Sequence, residues 1–266
     1  MMYCGMPIGA ILISLWVAFD SSNDWKAIFY AGGIIPLLIV PFMIRYLPES
    51  REYQEIKQVK KQQSYSKALF NENQSLKTLL LWAGCFFTAM LLYIMLSWLP
   101  SLFVELGFSK QQGSMAQVFF QIGATAGTLL FTGLIDKGNK VIIISVVYVG
   151  ILIGLLLMNS APTLILMYMA AAFTGFFIIG SNGLSYAFSS FTYVTEHRGQ
   201  GVGAANAIGR VGAMVGPAMA GFILNSGGGT SGVLFSMFPC ALVALVAMGL
   251  LAKKLGSDTV LAKKVV

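Results

Sequence analysis

The chain has 266 residues, of which 57% are hydrophobic and 10% charged, against roughly 25% charged in an ordinary soluble domain. A mean hydropathy of +0.78, with 19 Phe and 14 Met, excludes a soluble globular enzyme and a disordered or collagen-like chain, and leaves a polytopic membrane protein. The net charge of +7 would point to nucleic acid if the cations formed one patch, but they are spread between apolar runs.

Runs long enough to cross a hydrocarbon core of about 30 Å are expected, in chain order, at Met2 to Phe19, Ile28 to Tyr46, Thr78 to Trp98, Met115 to Ile135, Val141 to Met158, Leu164 to Phe188, Val202 to Leu224 and Val233 to Ala252. Eight transmembrane helices of an all-α membrane protein are therefore predicted. Polar breaks separate them, among them Asp136 to Lys140, Glu196 to Gly199 and the Gly-rich Asn225 to Thr230. The longest polar stretch divides the chain into residues 1–47 with two spans, a cytoplasmic loop at 48–77, six spans at 78–252 and a tail at 253–266. Cys4, Cys85 and Cys240 each lie in an apolar segment without disulfide or metal spacing, and read as small core residues.

If Met1 is cytoplasmic, 14 of the 17 Lys and Arg residues fall inside and only Lys26 and Lys110 outside, with Arg210 within a span. The positive-inside rule then gives an N-in, C-in topology, which accounts for the basic charge with no role for nucleic acid. The N-terminus enters an apolar run at once, with no basic region of the kind that opens a signal peptide, as though earlier helices were missing.

Several local strings carry a resemblance. Leu47-Pro48-Glu49-Ser50-Arg51 resembles the Pro-Glu-Ser signature where the sixth helix of the major facilitator superfamily meets its central loop. Gly133-Leu-Ile-Asp136-Lys137 resembles the second copy of that superfamily's Gly-x-x-x-Asp-Lys/Arg-x-Gly loop motif, with Thr132 in place of the first Gly and Gly138 one position early. Met2-Tyr-Cys-Gly-Met-Pro-Ile-Gly-Ala10, Trp82 through Leu99-Pro100, and Gly201-Val-Gly203 with Gly209-Arg-Val-Gly-Ala-Met-Val-Gly-Pro217 resemble the fifth, seventh and eleventh helices of the aromatic acid:proton symporter family, its hydroxyphenylpropionate transporters above all.

The resemblance implies a secondary transporter of the bacterial inner membrane. Here it would comprise the last two helices of an N-terminal half and a complete six-helix C-terminal half, the first four helices being absent. It implies uptake of aromatic carboxylates such as hydroxyphenylpropionate or hydroxybenzoate with protons, by alternating access and without a cofactor or metal. It also implies gating roles for Pro48, Glu49, Arg51, Asp136 and Lys137. All ten acids lie in loops or near span ends, so coupling carboxylates are expected in the missing helices, and this chain alone should not couple protons.

Arg210 is the sharpest site signal, roughly 12 Å into its span at 1.5 Å per residue. It is either a counter-charge for a substrate carboxylate, for which Arg offers a planar fork, or a cation satisfied by backbone carbonyls or by snorkelling. Asn206 lies one turn before Arg210, and Gln117 and Gln121 share a face of another helix; these amides either line a cavity or tie helices together. Phe86, Phe87, Tyr93, Tyr148, Phe173, Phe176, Phe177 and Tyr186 supply aromatic surface, Tyr93 being the one taken as substrate-binding. The glycines from Gly199 to Gly216, with Pro217, suit either a moving segment or tight static packing.

Three other readings stand beside aromatic-acid transport. The first is a transporter of the same fold for another organic anion or a sugar. The second is a truncated remnant that does not transport. The third is an intramembrane enzyme, for which the sequence offers no nucleophile elbow or His-Glu-x-x-His, and a single histidine, His197, in a loop.

Overall fold

The computed structural model describes residues 5–19, 25–46, 74–135, 138–160, 163–193 and 198–264. Among them are eight helices and no strand: α1 (Gly5–Phe19), α2 (Trp25–Tyr46), α3 (Ser75–Glu105), α4 (Lys110–Leu134), α5 (Lys140–Ser160), α6 (Leu164–Thr192), α7 (Arg198–Asn225) and α8 (Gly229–Lys264). Six of them, α3 to α7 and α8 as far as Gly256, are long and apolar enough to cross a membrane. A helix stands at every expected span, while eight crossing helices is more than this criterion counts.

The helices outrun the apolar runs that announce them. α3 begins three residues before Thr78 and continues to Glu105, because a backbone that satisfies its own hydrogen bonds stays helical through the interfacial layer, beyond the hydrocarbon that sets apolar length. The ends that stop cleanly carry local signals. Ser109 caps α4 in a reciprocal box, accepting from the Gln112 N–H at 3.2 Å while its own N–H donates to Gln112 Oε1 at 2.8 Å. The preceding turn needs Gly107, at φ +91°.

α3 is the hub of the bundle, packing against α4, α6, α7 and α8, while α1 packs on α4. Residues buried along its whole length, from Leu81 through Leu91, Ile94 and Met95 to Leu102 and Phe103, reflect this position. Where two helices approach most closely there is no side chain between them: a β-carbon at Gly127 would overlap the carbonyl oxygen of Phe176, and one at Gly212 that of Phe86. The second contact brings α7 against α3 at the level of Arg210. Trp98, placed near a span end by the sequence, instead ties the same pair of helices, its indole N–H donating to the Pro217 carbonyl at 3.0 Å.

Glu105, at the end of α3, accepts from the Thr230 hydroxyl at 2.9 Å, so the α3–α4 and α7–α8 turns share one side. On the other, the Lys140 ammonium sits 4.1 Å from the Phe191 ring centroid.

Candidate functional site

A cavity of about 160 Å³, mostly apolar in surface with polar groups set into it, opens between α3, α6 and α7, a volume comparable to cavities of about 150 Å³ that hold one benzene ring. Each helix contributes one face at helical spacing: Cys85, Ala89, Leu92 and Tyr93 from α3, Asn182, Ser185, Tyr186 and Ser189 from α6, and Ala205, Asn206, Gly209 and Arg210 from α7. Small residues at 89, 205 and 209 leave the space, and polar ones line it.

Arg210 lies 12 residues from the start of a 28-residue helix, about 18 Å along its axis. Its Nη1 donates to the Tyr93 hydroxyl at 3.1 Å, and among the described residues it has no carboxylate partner. A guanidinium has five N–H donors, so one bond to Tyr93 orients the group while leaving a two-donor edge for an incoming anion. One turn earlier, Asn206 Oδ1 accepts from the Tyr186 hydroxyl at 3.3 Å. That bond occupies the amide's acceptor and turns its NH₂ outward as a donor.

Of the residues picked out from the sequence, Arg210, Asn206 and Tyr93 therefore meet in one cavity. Gln117 and Gln121 are not among its lining residues. Both are buried in α4, and their side-chain oxygens have no hydrogen-bond partner among the described residues. The azimuth of α4 decides this: Phe120, Gly123 and Gly127 meet α6, which turns the two glutamines elsewhere. Pro48, Glu49, Arg51, Asp136 and Lys137 lie outside the described residues, as do Cys4 and His197.

Of the eight aromatics, Tyr93 and Tyr186 line the cavity. Phe86 and Phe87 pack edge to face at 5.1 Å, Phe173, Phe176 and Phe177 form their own cluster at 4.8 to 5.0 Å, and Tyr148 is fully buried. Cys85, read as core, is buried in the core and also lines the cavity. Ser185 and Ser189 escaped the sequence reading, and their spacing of four along α6, continued back to Ser181, was the available signal.

Six helices long and apolar enough to cross a membrane, three of them enclosing a cavity with a mid-span cation, define a polytopic integral membrane protein. The model of the Major Facilitator Superfamily matches residues 1–209 and, in a second overlapping alignment, 104–263; the chain belongs to that superfamily. It is 37% identical over 254 residues to a 3-(3-hydroxy-phenyl)propionate transporter of Escherichia coli, covering 96% of this chain and 62% of that protein. It is 27% identical to a gallate transporter of Pseudomonas putida, over 93% of this chain and 63% of that one. A 4-hydroxybenzoate transporter of Acinetobacter baylyi is 25% identical, over 93% of this chain and 62% of the relative. The chain thus spans less than two thirds of the length of these relatives.

Proposed function

We propose that this chain belongs to a secondary transporter that takes up aromatic carboxylates with protons by alternating access across a bacterial inner membrane, with both termini cytoplasmic. In this reading α3 to α8 form one six-helix half, α1 and α2 close the other, and residues 48–77 are the central cytoplasmic loop. The three relatives are named for the transport of acids that each carry a carboxylate and a ring hydroxyl.

The single observation that carries the reading is Arg210, a cation held mid-span by Tyr93 with its remaining donors free among the described residues. A charge at that depth costs about 3 kcal/mol or more unless it is paired or hydrated, so its cavity must admit water or an anion. A carboxylate meets it as a planar acceptor for the guanidinium edge, and the NH₂ of Asn206 supplies a further donor. Release from such a site is favoured when one half of the transporter rocks away from the other and water re-enters, as alternating access requires.

Competition separates this reading from its neighbours. Cells expressing the full reading frame that encodes the chain should accumulate ring-labelled hydroxyphenylpropionate, and unlabelled aromatic acids should compete where sugars and aliphatic dicarboxylates do not. Collapse of uptake on dissipating the proton gradient supports symport. Accumulation that survives this and ignores aromatic competitors would assign the chain to another cargo.

A further inference from the structure

We propose that the end of the cavity formed by Ser185, Ser189 and Cys85 recognises a hydroxyl group on the ring of the bound acid, and so selects hydroxylated over unsubstituted aromatic carboxylates. The proposal rests on the reading of Arg210 as the counter-charge of the carboxylate and adds the second point of attachment.

The cavity has two chemically opposite ends. Tyr93 and Cys85 both line it from α3 and are eight residues apart, about 12 Å along the helix. Arg210 is bonded to Tyr93, and Cys85 shares the cavity wall with Ser185 and Ser189. The Arg210 end offers donors. The far end offers acceptors, because its hydroxyl hydrogens are already committed: Ser185 Oγ donates to the Ser181 carbonyl at 3.0 Å and Ser189 Oγ to the Ser185 carbonyl at 2.8 Å. A back-bonded serine turns its lone pairs to whatever faces it.

This wall is held from behind. Tyr148 of α5 is fully buried, its hydroxyl lies 2.5 Å from Thr88 Oγ1, and Ser185 is within its reach. The layer joins three helices, so the two serines are fixed in place. A carboxylate is met best by the charged fork of Arg210, so the ligand lies with its acid there and its ring toward the two serines. The cavity has the volume of about one benzene ring, so a ring bound by its acid at Arg210 brings a ring hydroxyl toward the serine end. A ring lacking the hydroxyl leaves the serine oxygens buried against carbon, and a site built around a hydroxyl discriminates against the analogue that lacks it.

The test compares 3-(3-hydroxyphenyl)propionate with 3-phenylpropionate, and 4-hydroxybenzoate with benzoate, as competitors of labelled uptake by the full chain. The wild type should prefer each hydroxylated acid by about tenfold or more. Ser189→Ala and Ser185→Ala should bring that preference within about threefold, the larger loss falling on the hydroxylated member of each pair, while thermal stability in detergent reports correct folding. Ser189→Thr, which keeps the hydroxyl, should retain the preference. A preference intact in both alanine variants, or an equal fall for both members of a pair, overturns the proposal. Arg210→Gln separates the two layers: it should weaken all four acids together. If it changes none, the carboxylate reading fails and this proposal with it; if it weakens all four while the serine variants change nothing, only the hydroxyl assignment fails.

Discussion

The Tyr93 hydroxyl and the Arg210 guanidinium meet at 3.1 Å across the α3–α7 interface, and the bond takes one of the cation's donors without neutralising it. Tyr93 is a positioning residue in this arrangement. Tyr93→Phe should leave Arg210 charged but free to rotate, weakening competition by aromatic acids about three- to tenfold, the equivalent of one modest hydrogen bond. The measurement is the inhibition constant in uptake assays, and the same variant should leave thermal stability within about 1 kcal/mol of wild type.

Close backbone contact makes Gly212 a stability position. A β-carbon there overlaps the Phe86 carbonyl, which is backbone and has no flexible end to yield. Gly212→Ala should therefore cost about 1 to 3 kcal/mol through overpacking, read as a lowered unfolding temperature in detergent. Gly203, with nothing within 4 Å of the same position, is the control: Gly203→Ala should be neutral or slightly stabilising, since it adds helix propensity in open space.

The buried pair of Thr88 and Tyr148 gives an ordered prediction. Tyr148→Phe leaves Thr88, which can turn its hydroxyl to its own helix, and should cost about 1 kcal/mol. Thr88→Val removes the partner of a fully buried phenol and should cost more, about 1 to 3 kcal/mol. Chemical or thermal unfolding of the two variants side by side checks the order.

The Gln121 side-chain oxygen, at 2% exposure, has no hydrogen-bond partner among the described residues. Removing an unsatisfied buried acceptor relieves its desolvation, so Gln121→Met should match or exceed wild-type stability. It should also leave the affinity for aromatic acids unchanged, since the residue is not in the Arg210 cavity. Loss of affinity without loss of stability would place Gln121 in the substrate path after all.

Membrane physics decides which of these features a sequence exposes. Helix positions were legible because a span needs about 20 apolar residues, and Arg210 because an intramembrane cation is costly enough to mark itself. Asn206 followed from its spacing of four. Gln117 and Gln121 looked equivalent to Asn206 by the same rule, yet which way α4 faces is set by Gly123 and Gly127 meeting α6, a tertiary fact that spacing does not contain. Ser185, Ser189 and Cys85 were silent for the opposite reason. A serine that bonds its own helix is tolerated almost anywhere in a span, and a cysteine passes for a small apolar residue. Trp98 marks only the end of an expected span in the sequence, and its partner, the Pro217 carbonyl, lies 119 residues away, a pairing that only the packed helices reveal.

The measurement that bears most directly on the central claim is the affinity of Arg210 variants for a hydroxylated aromatic acid. Competition of labelled uptake, or direct binding in nanodiscs, would be followed for wild type, Arg210→Lys and Arg210→Gln. Loss of a charge-assisted, two-donor contact predicts a fall of about 10- to 100-fold for Arg210→Gln, with Arg210→Lys in between because it keeps the charge and loses the fork. Affinities unchanged in both variants would contradict the assignment of this cavity as the carboxylate site.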